Sequence, residues 1–228
     1  MKPSLFRNGV EVRLRIFKDF WSCTTHFAGL IGAIVGGILL LVFCQPGAAA
    51  VTSASIYGAS LVLLFAASTT YHFLDIGERG NRWLRRFDHM SIFFLIGGSY
   101  VPALVLLLDG TWRVALLGAV GTLAVGGALM KLFWIDCPDK LSTCLYLAFG
   151  WFGVIPVLFF MPKLTSVTAS LLVSGGLVYS VGALVYMKQW PDPWPNRFGH
   201  HEVWHLLVLM GASLHWCFVA KLVTAPLV

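Results

Sequence analysis

Seven long apolar stretches constrain this chain more than any other feature. They cover approximately residues 20–44, 51–74, 87–108, 112–133, 141–160, 166–187 and 200–223. About 20 apolar residues in a helix cross a bilayer, and each stretch is close to that length. Only 11% of the residues are charged, against roughly 25% in soluble domains. The pattern predicts an all-α fold, a seven-transmembrane-helix bundle over residues 20–223, preceded by an N-terminal arm (1–19) and followed by a short tail (224–228).

The basic residues predict how the bundle is oriented. Thirteen of the 16 lysines and arginines fall in the N-terminal arm or near the second, fourth and sixth connections. Basic residues collect on the cytoplasmic side, so we expect a cytoplasmic N-terminus and a C-terminus outside. The same rule explains the net charge of +6 without nucleic acid as a partner. The N-terminal arm has no apolar core of a signal peptide, and we expect a multi-pass protein of a bacterial inner membrane.

Polar and ionisable residues inside the spans gather toward one end of the bundle. Ser68 and His72 lie at the end of the second span, Asp88 near the start of the third, and His201 and His205 at the start of the seventh. The predicted orientation brings all of these positions to the cytoplasmic side. An ionisable side chain within a membrane span is costly to bury and therefore indicates a functional site.

The spacing of these residues predicts a metal site. His201 and His205 are four residues apart and share a helix face, and His72 can add a third nitrogen from a neighbouring helix. Three histidines and a water form the open tetrahedral site typical of catalytic zinc. Asp88 is expected to hold that water directly or to orient it as a hydrogen-bond acceptor. Whether it serves as a metal ligand, a general base or a supporting residue stays open at this point. Ser68, one turn deeper than His72, is a candidate to hold a substrate carbonyl.

The other histidines receive more ordinary interpretations. His89 and His200 are expected to be interfacial side chains at helix ends. His26 has either a supporting role behind the metal ligands or a packing role. His215 lies fourteen residues after His201, about 21 Å further along a helix, so it cannot share the metal and is expected to bond a neighbouring helix.

The segment His201-Glu202-Val203-Trp204-His205 also matches the H-E-x-x-H pattern of zinc proteases, a short pattern that occurs by chance. An intramembrane protease of this type takes a third ligand from an LDG sequence, here Leu108-Asp109-Gly110. The topology puts Asp109 at the outer end of the third span, about 30 Å from His201. We therefore reject the protease interpretation.

Three stretches closely resemble the hemolysin III family: LLFAASTTYHFLD, LRRFDHMSIFFLIGGSYVP and HHEVWHLLVLMGASLHW. That family is grouped with the progestin and adipoQ receptors and more distantly with alkaline ceramidases. The resemblance implies three zinc-binding histidines, matched here by His72, His201 and His205, with Ser68 and Asp88 beside them. The family's first span usually carries Asn-x3-His, whereas this chain has Ser22 and His26.

Two functions from different classes follow from these residues together with the resemblance, which implies a ceramidase-like hydrolase or a receptor-like protein. In the first, a Zn²⁺ ion at the three histidines hydrolyses a lipid amide or ester that arrives from the inner leaflet, with Asp88 and Ser68 as catalytic residues. In the second, the zinc is structural, and the protein has a receptor-like or membrane-homeostasis role among membrane lipids. The two differ in whether zinc-replete protein turns over a lipid.

Overall fold

The computed structural model describes residues 4–7, 10–13, 18–195 and 197–224. Within them the chain forms a helical bundle, and the predicted all-α transmembrane fold is confirmed: seven helical segments are long and apolar enough to cross a membrane. The helices are α1 (Phe20–Phe43), α2 (Ala48–Phe73), α3 (Glu78–Leu107), α4 (Gly110–Phe133), α5 (Asp139–Trp151), α6 (Val154–Phe160), α7 (Ser166–Lys188) and α8 (His200–Thr224). The protein is therefore a multi-pass integral membrane protein.

The fifth span is the one the sequence pattern describes least well. The pattern predicts one continuous helix over 141–160, but the structure divides the span into α5, α6 and a short 3-10 turn at Met161–Lys163. The break lies at Phe152 and Gly153, and the single hydroxyl hydrogen of Tyr100 is shared between the Phe149 and Gly150 carbonyls, whose oxygens lie 2.7 and 2.6 Å from the hydroxyl oxygen. A side chain from α3 thus takes up carbonyls beside the interruption, as a broken membrane helix requires.

Close helix contacts hold α1, α2 and α8 together. A Cβ atom on Gly29 of α1 would lie 2.6 Å from Leu209 and 2.7 Å from Phe65. A Cβ atom on Gly58 of α2 would lie 3.3 Å from the Gly37 Cα atom of α1. Small residues at such contacts let membrane helices approach closely. This packing brings the starts of α1 and α8 beside the end of α2, where the histidines lie.

Two features near the predicted cytoplasmic side differ from what the sequence pattern predicts. Part of the predicted N-terminal arm forms a two-stranded antiparallel hairpin, β1 (Ser4–Arg7) and β2 (Val10–Arg13). Lys131, counted among the connections in the charge argument, is instead buried in the last turn of α4. Its ammonium group donates to the Ser142 hydroxyl at 2.5 Å. The predicted tail from residue 225 onward lies outside the described residues.

Candidate metal centre

The three histidines predicted as metal ligands come together. One ring nitrogen from each of His72, His201 and His205 lies within 4.8 Å of the other two. The Nε2 atoms of His72 and His201 are 3.4 Å apart. Two nitrogens bound to a tetrahedral zinc at about 2.0–2.1 Å are themselves roughly 3.4 Å apart. The spacing therefore suits a small tetrahedral ion.

The Nδ1 atom of His72 is fixed by a residue that the sequence argument missed. Asp19, immediately before α1, accepts from His72 Nδ1 at 3.0 Å, and the Asp19 backbone N–H donates to the His72 carbonyl, also at 3.0 Å. This carboxylate holds the proton on Nδ1 and leaves Nε2 free to bind a metal. The hydrogen bond from His72 also lowers the pKa of Asp19, against the opposing effect of partial burial.

His205 has a comparable contact from the same segment of the chain. The Thr25 hydroxyl lies 3.3 Å from His205 Nδ1, and His205 is almost completely buried. The start of α1 therefore contacts two of the three histidines from behind. Neither Asp19 nor Thr25 belongs to a spacing pattern in the sequence. Only the folded approach of α1 to α2 and α8 reveals their contribution.

Glu202 of the H-E-x-x-H segment is committed to structural contacts. One carboxylate oxygen accepts from the Ser22 hydroxyl at 2.6 Å, and the other accepts from the Gly199 N–H at 2.8 Å. Glu202 therefore caps the start of α8 and ties it to α1. Asp109 lies just beyond the end of α3, twenty-one residues after Asp88 and about 30 Å along the axis, where it pairs with Arg113. These contacts agree with the rejection of the protease interpretation.

Asp88 and Ser68 lie beside a cavity rather than within the histidine cluster. The cavity has a volume of about 300 Å³ and extends between α3, α5, α6, α7 and α8, with α1 and α2 contributing at one end. Its wall is mainly apolar, and its polar residues at this end include His26, Ser68 and Asp88. Asp88 is 7% exposed, and one carboxylate oxygen lies 3.5 Å from His89 Nδ1. The volume is at the lower end of the range for small-molecule pockets.

His26 contacts both the histidine cluster and the cavity. Its ring stacks on that of His205 with centroids 3.6 Å apart and planes 11° from parallel, and it also lines the cavity. Its Nδ1 atom lies 2.7 Å from the Ser68 hydroxyl oxygen. The supporting role anticipated as one possibility for His26 thus has a geometric basis.

His215 behaves as the sequence predicts. Its Nε2 atom lies 3.3 Å from the Leu172 carbonyl of α7, so it makes the expected contact with a neighbouring helix. It lines the cavity but is not a member of the histidine cluster.

A seven-span membrane bundle with three converging histidines at one end defines the class of protein. Comparison with known proteins gives the family. Residues 14–216 match the Haemolysin-III related family, and the chain belongs to it.

Relatives extend across bacteria and animals. The chain is 33% identical over 214 residues to the Hemolysin-3 homolog of Bacillus subtilis, covering 92% of this chain and 97% of that protein. It is also 33% identical over 199 residues to Hemolysin-3 of Bacillus cereus, covering 86% and 88% of the two chains. The Adiponectin receptor protein of Drosophila melanogaster is 25% identical over 239 residues, 95% of this chain but 53% of that protein. The bacterial relatives and the seven spans indicate a bacterial plasma membrane.

Proposed function

We propose that this protein is a zinc-dependent hydrolase that cleaves an amide or ester bond in a lipid entering from the inner leaflet. One observation carries the proposal: the three-histidine cluster stands beside a mainly apolar cavity whose nearest polar wall includes a buried carboxylate, Asp88. Metal ligands, a carboxylate and an apolar binding space are the components that hydrolysis of a lipid requires.

The donor set supports zinc as the metal. Neutral imidazole nitrogens suit zinc, and three protein ligands leave a fourth position open, as in catalytic sites. Asp19 accepts from His72 Nδ1, and the Thr25 hydroxyl, which donates to the Trp21 carbonyl, is an acceptor for His205 Nδ1, so both contacts favour Nε2 as the binding atom. Zinc in such a site supplies Lewis-acid chemistry, activating a water and polarising a carbonyl.

Asp88 is the residue we assign to proton handling. Its carboxylate lies about one third of the way along α3, buried and lining the cavity. An ionised carboxylate accepts hydrogen bonds only, so it can orient an attacking water and take up its proton at a carboxylate oxygen. Tyr146 supports the position of this turn, because its hydroxyl donates to the His89 carbonyl at 3.1 Å.

The cavity provides space for the lipid chain. Leu95, Ile96 and Val208 are among its apolar lining residues. A lipid tail that packs against them buries its own apolar surface and that of the cavity wall. The predicted cytoplasmic side for Asp88 makes the inner leaflet the source of the substrate. We therefore expect the scissile bond near Asp88 and the acyl chain pointing toward the middle of the bundle.

The test combines metal content and lipid turnover. We expect about one zinc per chain by mass spectrometry of detergent-purified wild-type protein, and loss of that zinc in His205→Ala. Incubation with mixed fluorescent N-acyl and O-acyl lipids should release fatty acid from wild type. Asp88→Asn should retain the zinc and the thermal stability but lose turnover.

The same experiment decides between the hydrolase and the structural-zinc function. If zinc-replete wild type hydrolyses none of these lipids while chelation lowers its thermal stability, the zinc is structural and the hydrolase proposal is wrong. Wild-type protein without metal, purified without chelator, would remove the basis of both functions.

A further inference from the structure

The His26 ring is held on three sides and leaves one nitrogen without a partner. It is stacked on His205, and Phe65 meets it edge-on with centroids 5.2 Å apart. Ser68 bonds its Nδ1 atom, whereas Nε2 is buried and has no hydrogen-bond partner among the described residues. Buried polar atoms are nearly always paired. An unpaired nitrogen on a ring that lines a cavity therefore points to a ligand.

The hydrogen bonds available to Ser68 indicate which nitrogen of His26 carries the proton. Many serine and threonine hydroxyls in these helices donate to a carbonyl one turn earlier, as Ser55 and Thr70 do at 2.8 and 2.7 Å. Ser68 makes no such contact in the described part of the chain, and its partner there is His26 Nδ1. The hydroxyl hydrogen is therefore free to be donated to Nδ1. A neutral imidazole that accepts at Nδ1 carries its proton on Nε2.

We propose that His26 is a substrate-binding residue whose Nε2–H group donates a hydrogen bond to the carbonyl oxygen of the lipid, with Ser68 as the positioning residue that orients this donor. The proposal rests on the lipid hydrolase function above. It divides the polar end of the cavity into complementary parts. His26 supplies a donor for the oxygen on which charge develops, and Asp88 supplies an acceptor for the attacking water.

This assignment changes the role expected for Ser68. If its hydrogen is directed to His26, Ser68 does not hold the substrate oxygen itself and acts through the imidazole. A neutral donor fixed in advance by packing stabilises a developing oxyanion without reorganising at the moment of reaction.

Two substitutions of His26 test the contributions of its two ring nitrogens separately. The amide of glutamine in His26→Gln reaches the position of Nε2, whereas the shorter amide in His26→Asn reaches only the position of Nδ1. We expect His26→Asn to lower kcat by about 10²–10³-fold, as for loss of an oxyanion donor. His26→Gln should remain within about tenfold of wild type, and both should retain the zinc. An equal loss of turnover in the two variants would overturn the proposal.

A second pair of measurements does not depend on turnover. Nitrogen NMR of histidine-labelled protein in nanodiscs, with His26 assigned from the His26→Gln spectrum, should show a neutral ring protonated at Nε2. Ser68→Ala should remove that preference. The affinity for N-methylpalmitamide, a carbonyl probe with a lipid chain, should fall about two- to tenfold in His26→Asn and remain unchanged in His26→Gln.

These outcomes distinguish the two proposals. A correct tautomer and a selective affinity loss with no lipid turnover would leave His26 as a carbonyl-binding residue and refute the hydrolase. Turnover together with a proton on Nδ1 of His26 would leave the hydrolase in place and refute the role of His26.

Discussion

The two sides of the bundle are built differently. On the side of α1, α2, α3 and α8, between 28% and 50% of the residues in the most apolar part of each helix are buried, compared with 17% in the fifth span and 22% in α7. The first side carries the histidines. The second side, α5 to α7, includes a broken helix and forms much of the cavity wall. Metal ligands require fixed positions, whereas an apolar wall requires only a suitable surface.

The largest expected effect tests whether the stability of the first side, called the histidine side below, depends on a bound metal ion. Zinc bound only to the folded chain stabilises it by about 4 kcal/mol at a free concentration a thousandfold above Kd. We expect a chelator to lower the thermal unfolding temperature of wild type strongly and that of His72→Ala very little. His215→Ala, which alters a buried histidine outside the cluster, should respond to the chelator as wild type does. An identical response of the two variants would show that the cluster does not bind the metal.

The next effect concerns how tightly α1 packs on this side. Leucine at position 29 would collide with Leu209 and Phe65, whereas nothing lies within 4 Å of a Cβ atom at Gly32. We expect Gly29→Leu to destabilise the protein near the upper end of the ~1–3 kcal/mol typical of overpacking. The matched control Gly32→Leu should unfold at the wild-type temperature. Equal stability of both variants, measured by thermal unfolding in detergent, would mean that α1 is not closely packed.

A smaller effect tests the support behind His72. Replacing Asp19 by asparagine keeps the shape but removes the charge that faces His72 Nδ1. Loss of such a partner typically weakens metal affinity 10–100-fold, and we expect a decrease in this range in competition titrations with a zinc indicator. Asp75→Asn is the control, because Asp75 accepts from Asn81 at 2.8 Å rather than from a histidine. An unchanged affinity in Asp19→Asn would make the contact incidental.

Both the spans and the histidine cluster were predictable from the sequence. Membrane thickness dictates the length of a span, and four-residue spacing dictates that His201 and His205 share a face. His72 joined them because the second and last spans both place histidines at the same predicted depth. Span length, residue spacing and predicted depth can all be read along the sequence without knowing which helices are neighbours in the fold.

The supporting contacts depend on neighbours and were not predictable. Asp19 meets His72 across fifty-three positions, and Ser22 meets Glu202 across 180, with no periodicity that links them. Lys131 looked like a connection residue, but α4 and α5 bury its amine against Ser142. The break at Phe152 does have a sequence signal, because Pro156 lacks the N–H that would bond the Phe152 carbonyl four residues earlier, but the apolar character of the whole span concealed it.

The smallest expected effect tests the cavity side of the comparison. The Trp151 indole N–H donates to the Ser180 hydroxyl at 2.9 Å, an exposed contact between α5 and α7. Trp151→Phe retains an aromatic ring and removes the donor, so we expect a loss of about 0.5–1.5 kcal/mol or less in thermal unfolding. Ser180→Ala should give a similar loss, and the double variant should add little, since both remove one interaction. Zinc content should remain that of wild type, because the wall does not supply metal ligands. A destabilisation as large as that of Gly29→Leu would show that the cavity wall is held as firmly as the histidine side, and the proposed division between the two regions would be wrong.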